Sequence, residues 1–217
     1  LAHFSQDVGL HQMFNCVGDV FTSISAEWNH IAINQVTEAI RQRTKQLCYG
    51  LIYGMGLRTM AEEMGVEEQE AAEMVERFHR TYPGIQSYIA QCTEQCRARG
   101  YVTTIAGRQR FLPEISSHNK ALRAQAERQA VNTTIQGSAA DIAKVAMLRV
   151  DSTVRLRGMQ AHLIIHLHDE LIYEVADKHL EAFVKVIRRE METAIAISVP
   201  LPVKVKKGSS WGQMEQT

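Results

Sequence analysis

The chain has 217 residues, 45% of them hydrophobic and 22% charged, with 24 basic side chains against 24 acidic ones. This length suits one large domain or two modest ones with a sizeable core. The formal net charge of zero excludes a global positive field as the means of attracting a polyanion. Charge is instead local. Arg41, Arg43 and Lys45 form one basic cluster, Arg97, Arg99, Arg108 and Arg110 another, and the stretch from Glu62 to Glu76 reads as a solvated acidic helix face.

Residues 1–100 read as mostly helical. Ala71, Ala72, Val75 and Phe78 recur at helical spacing, and Ile85, Tyr88, Ile89, Cys92 and Cys96 do so again after the breaker pair Pro83-Gly84. Gly100 closes this region. Tyr101 to Ile105 and Arg108 to Leu112 predict a short hairpin turning at Ala106-Gly107. A long helix follows from about Ala121 to Val150, weakened at Gly137. Leu163 to Leu167 and Leu171 to Val175 then flank the polar tip His168-Asp169-Glu170 as a second hairpin. Leu180, Phe183, Val184, Ile187 and Met191 mark one face of an amphipathic helix. Leu201, Val203 and Val205, alternating with Lys204 and Lys206, predict a last strand. Helices first, then an antiparallel sheet with helices packed on it, make an α+β fold.

Cys16, Cys48, Cys92 and Cys96 show no CxxC spacing, and Cys92 and Cys96 suit helix packing. The pattern points to a reducing, intracellular setting. No signal peptide or membrane-length apolar run is present, so no membrane partner is expected. The chain opens on Leu1 without a cap, which reads as a piece of a longer protein.

Three constellations can carry chemistry. Arg41, Lys45, Tyr49 and Tyr53 are spaced by four, each rotated about 40° from the last, and form one slanted helical stripe. Two cations followed by two rings match the phosphates and the base of a nucleoside triphosphate. The same spacing equally fits a surface helix with solvated cations and core tyrosines. Asp169 and Glu170 at a tight turn can offer oxygen ligands to a hard cation such as Mg²⁺, or form an ordinary acidic turn. Arg128, Asn132 and Gln136 share one helix face, and their amides can donate to the acceptors that every base pair shows in the minor groove. The alternative there is a polar face beside the small-residue seam Gly137-Ser138-Ala139-Ala140. A separate reading takes His162, His166 and His168, which share parity along a strand, as ligands of Zn²⁺ in a hydrolase.

The order of the motifs is more specific than any one of them. Arg41-x3-Lys45-x3-Tyr49-Gly-x2-Tyr53-Gly54 resembles motif B of family A DNA polymerases. The run from Ala126 to Asp141 resembles their duplex-contacting helix, and His168-Asp169-Glu170 between apolar strands resembles their motif C. Gly107-Arg108-Gln109-Arg110-x-Leu112-Pro113 and Gly208-x2-Trp211-Gly212 are similar to the same family, across essentially the whole chain. Asp19-Val20-Phe21-x-Ser23-Ile24-x-Ala26-Glu27-Trp28 most resembles the eukaryotic theta and nu branch, because bacterial relatives usually carry His where Phe21 stands.

The resemblance implies a palm segment over 1–12, fingers over 13–100 and C-terminal palm over 101–217. It implies that Arg41 and Lys45 hold the phosphates of an incoming dNTP, with Tyr49 stacking by the sugar and base and Tyr53 on the template side. Asp169 becomes a ligand in a two-Mg²⁺ site, with Glu170 supporting it and the other carboxylate ligand outside this sequence. His168 is expected near the primer terminus, Arg128, Asn132 and Gln136 along the new duplex, and Arg108 and Arg110 on backbone phosphates. The implied partners are primer-template DNA, dNTP, and the thumb and motif A of the same polymerase chain. Leu1-Ala2-His3-Phe4-Ser5 resembles the segment just after motif A, so these 217 residues are expected to be inactive alone. A role in DNA repair and a nuclear location follow from theta and nu kinship. The alternative function is a non-catalytic nucleic-acid-binding module derived from such a polymerase.

Overall fold

The computed structural model describes residues 1–15 and 18–216. Cys16 therefore lies outside the described residues. Contacts divide the chain into two compact units, Leu1–Gly137 and Ser138–Thr217. No helix among the described residues is long and apolar enough to cross a membrane.

The first unit is helical, with α1 (Ala2–Ser5), α2 (Val8–Asn15), α3 (Val20–Asn29), α4 (Glu38–Ile52), α5 (Leu57–Met64), α6 (Glu68–Thr81) and α7 (Pro83–Arg99). The boundaries follow local chemistry. Asp19 caps α3 by accepting from Thr22 N, and Thr37 caps α4 by accepting from Ile40 N. Pro83 opens α7 at a position where its missing N–H costs nothing, and Gly100 ends it in the left-handed region at φ 77°. Asp7 caps two helices at once. Its carboxylate accepts from Leu10 N at 3.1 Å and from Gly84 N at 2.8 Å, and the residue is 4% exposed.

Strands β1 (Tyr101–Thr103) and β2 (Gln109–Phe111) pair antiparallel around Gly107, whose φ is 85°. Helix α8 (Lys120–Asn132), capped by Asn119, then runs into a π-helical turn, Thr133–Gly137. Tyr88, Cys92 and Cys96 of α7 form a core with Val102, Leu112, Ile115, Ala126, Ala130 and Val131, as the α7 periodicity predicts.

The second unit starts with α9 (Ser138–Leu156), followed by β3 (Ala161–Leu167), β4 (Glu170–Val175) and α10 (Leu180–Glu192). Phe183 and Ile187 of α10 pack with Val150 and Val154 of α9, and Tyr173 and Val175 of β4 close over them. The apolar face foreseen for α10 is the packed one, and it also includes buried Val186. Residues 201–205 are not a strand. Val203 and Val205 are half-buried and the lysines exposed, as alternation requires, but only Lys206–Lys207 (β5) pairs, with Glu215–Gln216 (β6). Backbone N of Val203 donates instead to the Glu192 carboxylate at 3.0 Å. Among the described residues, helices and three two-stranded antiparallel sheets give the α+β class expected.

The weakness foreseen at Gly137 is a specific contact. A Cβ there would lie 2.7 Å from Cγ2 of Thr104, in the turn between β1 and β2. Gly137→Ala is expected to lower unfolding stability by about 1–3 kcal/mol through overpacking, measured as a lower denaturant midpoint. Adding Thr104→Ser, which removes the clashing methyl and keeps the hydroxyl, should restore part of the loss.

Candidate functional site

Helix α4 presents the stripe that the spacing predicts. Leu47, Cys48 and Gly50 turn inward, and Arg41, Lys45 and Tyr49 remain partly or fully open, with Tyr49 41% exposed. Gly50 sits in close packing, since a Cβ would meet Met60 Cε at 3.2 Å and Met55 Sδ at 3.3 Å, and both side chains would have to give. Tyr49 and Tyr53 stack with centroids 5.9 Å apart and planes 4° from parallel. Burial raises the phenol pKa of Tyr49, and its neighbour Tyr53 adds to this, so the ring is neutral in ordinary solution. The tyrosines are therefore not core residues. That removes the alternative in which they fill the interior.

Helix α3 supplies what the stripe leans on. Lys45 Nζ lies 6.0 Å from the ring centroid of Phe21 and 5.9 Å from that of Tyr49, within cation–π range. Phe21 in turn meets Tyr49 at 5.9 Å. Arg41 donates from Nε and Nη2 to Oδ2 and Oδ1 of Asp19 at 2.8 and 3.0 Å. That ion pair holds the Asp19 carboxyl well below its usual range and raises Arg41 further. Sequence reasoning quoted Asp19 and Phe21 in a motif but gave neither a role. A contact across 22 residues leaves no periodic signal.

The duplex-side residues gather in the same unit. Gly54, at φ 69°, sits under Arg128, whose Cγ would be 3.0 Å from any Cβ added there. The end of α4 thus touches α8. Arg128 and Gln136 are exposed, while Asn132 Oδ1 is enclosed without a hydrogen-bond partner. Arg108 Nη2 donates to Gly137 O at 3.0 Å, and Arg110 Nη1 to Thr133 Oγ1 at 2.9 Å. Both arginines are thereby fixed against the π-helical turn that continues α8.

The second unit carries the carboxylates. Leu167 pairs with Glu170, so His168 and Asp169 form a two-residue turn with His168 at φ 53°. His166 Nε2 is 3.0 Å from His168 O, and only a protonated Nε2 can donate to that carbonyl. His168, Asp169 and Glu170 are all exposed. The zinc reading fails on register. The β3–β4 pairing slips between Leu163 and Ile165, so Ile164 is an extra residue and His162 and His166 lose their shared parity. Among the described residues no three His, Cys, Asp or Glu gather as a metal-ligand group.

The chain is similar to known proteins over nearly its whole length. The family model for DNA polymerase family A matches residues 1–213. DNA polymerase theta of Drosophila melanogaster is 44% identical over all of this chain, which spans 11% of that protein. DNA polymerase I of Treponema pallidum is 38% identical over 98% of the chain and 21% of its own length. Among solved structures, the POL domain of Pol1 from M. smegmatis, in complex with DNA primer-template and dNTP, matches with a TM-score of 0.89. It is 36% identical, and the match covers 92% of this chain and 35% of that one.

The Asp19–Arg41 pair carries a pH signature. A carboxylate with a depressed folded pKa contributes stability that is complete above its unfolded value, near 4, and is lost as pH falls through the lower folded value. The pair is therefore expected to persist through mildly acidic conditions. Carboxyl-carbon NMR should show Asp19 titrating well below the ordinary aspartate range, and Arg41→Ala should return it toward that range.

Proposed function

Because the chain belongs to DNA polymerase family A, we propose that it forms the fingers and C-terminal palm of a template-directed DNA polymerase. Residues 1–12 are a palm segment, 13–100 the fingers and 101–217 the C-terminal palm. The primer 3′ oxygen attacks the α-phosphorus of a dNTP, a phosphodiester bond forms and diphosphate leaves. The observation that carries this reading is the α4 stripe. Arg41 and Lys45 stand one turn apart ahead of the stacked, partly open pair Tyr49 and Tyr53. The two cations hold the β- and γ-phosphates, Tyr49 lies by the sugar and base, and Tyr53 takes the template-side position until closure excludes water.

Arg128, Asn132 and Gln136 follow the nascent duplex, and the packing of Arg128 over Gly54, just past α4, couples duplex geometry to the nucleotide helix. Arg108 and Arg110 contact backbone phosphates from a fixed mounting on the π-helical turn, which positions the strand without reading its sequence. His168 sits by the primer terminus. The M. smegmatis relative's complex with primer-template and dNTP supports these partners. Kinship with theta supports a nuclear location and a part in DNA repair.

Asp169 is the residue we assign as a Mg²⁺ ligand, with Glu170 supporting it. Exposed carboxylates at a two-residue turn fit that ion in kind. They do not fit it in number, since no three-ligand group exists among the described residues. In this reading the further carboxylate is supplied by the rest of the polymerase chain. Two such ions, when bound, stabilise the attacking and leaving oxygens. The part of this chain is to hold the ligand oxygens still and to grip the triphosphate.

The test is primer extension by the complete polymerase chain. Asp169→Ala should reduce incorporation by at least about a thousandfold, while primer-template affinity stays within a few fold. Arg41→Ala should weaken dNTP binding by about tenfold or more. Extension at the wild-type rate by Asp169→Ala would refute the assignment. A wild-type chain that binds duplex but adds no nucleotide in Mg²⁺ would establish the rival, a non-catalytic binding module. Tyr49 should also admit dideoxynucleotides, with Tyr49→Phe discriminating against them more strongly in a competition assay. Equal discrimination by the two proteins would remove Tyr49 from the sugar contact.

A further inference from the structure

Arg41 already holds an anion. Its Nε and Nη2 present one edge of the guanidinium to both oxygens of Asp19, the side-by-side geometry that this group also offers to phosphate. Oδ2 of Asp19 accepts in addition from Thr22 N and Thr22 Oγ1, both at 2.8 Å. The carboxylate is thus anchored at the start of α3, and Arg41 comes to it. Glu38 reaches Arg41 by one contact of 3.4 Å, with its side chain 70% exposed, and is a weaker competitor. Any phosphate that needs the Nε–Nη2 edge must first take it from Asp19.

Resting on the reading that α4 grips a nucleoside triphosphate, we propose that Asp19 is a built-in competitor of the triphosphate, occupying Arg41 until the nucleotide displaces it. The exchange makes and breaks no covalent bond. It is reversible at small cost because Asp19, once released, keeps both Thr22 donors and is open to solvent, with 43% of its side chain exposed. While Asp19 is engaged, the long Arg41 side chain is already ordered by two hydrogen bonds, so less side-chain freedom is lost when phosphate arrives. A ligand with little to offer beyond the Arg41 contact gains little by the exchange. A triphosphate that also meets Lys45 gains more. Asp19 therefore sets the concentration at which the site fills and favours triphosphate over smaller anions. It is a positioning residue, acting through Arg41.

Asp19→Asn keeps the size and the helix cap and removes the charge. The measurement is single-turnover incorporation against dNTP concentration in the complete polymerase chain, for wild type, Asp19→Asn, Arg41→Ala and the double variant. The apparent dNTP Kd should fall about twofold to fivefold in Asp19→Asn, the size of releasing a partly exposed ion pair, with the maximal rate unchanged. The effect should vanish when Arg41 is alanine. An unchanged or raised Kd in Asp19→Asn would overturn the proposal. So would an equal fall in the Arg41→Ala background, which would mark a general charge effect. If Asp19→Asn does not fold, Asp19→Ser retains a capping oxygen and serves the same cycle. An Arg41→Ala variant with wild-type dNTP affinity would instead sink the nucleotide reading itself. Arg41→Ala impaired with Asp19→Asn unresponsive would sink the competitor alone.

Discussion

A buried carboxylate must be fully satisfied, and Asp7 meets that demand by joining two helix starts. Its oxygens accept from the first turns of α2 and α7, the second donor, Gly84 N, lying 77 residues after Asp7 in the chain. Each N-terminus offers unpaired N–H groups and the positive end of a helix dipole, so one side chain answers both. The joint allows no alternative at Gly84, where a Cβ would lie 2.9 Å from Asp7. Helix α7 in turn carries the side chains on which the first hairpin and α8 pack. The mountings of Arg108, Arg110 and Arg128 therefore trace back to a residue that takes no part in binding.

The sequence was most legible where a period or a breaker speaks for itself. The α7 face from Ile85 to Cys96, both hairpin turns and the α10 stripe follow from side-chain spacing and from Pro83, Gly100 and Gly107. The α4 stripe was legible as geometry, because a spacing of four on a helix admits only one arrangement. Its support was not. Asp19 and Phe21 reach Arg41 and Lys45 across helices, and tertiary contacts of that kind leave no local pattern. Residues 201–205 misled for the opposite reason. Their alternation is real in burial, yet a strand also needs a ladder partner, and the carboxylate of Glu192 takes the Val203 donor instead. The π-helical turn was visible only as the weakness at Gly137. What the sequence could not show is the methyl of Thr104, 33 residues earlier, which leaves no room for a Cβ at position 137.

Charge in this molecule is organised by pairing rather than excess. Arg97 joins Glu127 between α7 and α8, and Arg41 joins Asp19 between α3 and α4. Each pair places a guanidinium while cancelling its distant field, which is how a chain of zero formal charge can present cations at chosen points. Lys45 shows the complementary device. It rests over two aromatic faces, which fix its position without neutralising it. Neighbouring cations on one helix thus share the Phe21 ring, but only Arg41 is also paired with a carboxylate.

The extra residue in β3 has a consequence for what can vary in this hairpin. Ile164 opposes nothing on β4, and past it every side chain toward the tip answers to a reset alternation. The base of the hairpin is bound to its helices through Ala161, Tyr173 and Val175, whereas the tip is exposed along its length. The direction in which the Asp169 turn points is therefore a matter of counting. Replacing the side chain at position 164 leaves the count intact, whereas losing or gaining one residue would turn the tip to the opposite face of the sheet. The number of residues in β3, rather than the side chain at position 164, sets which face the tip presents.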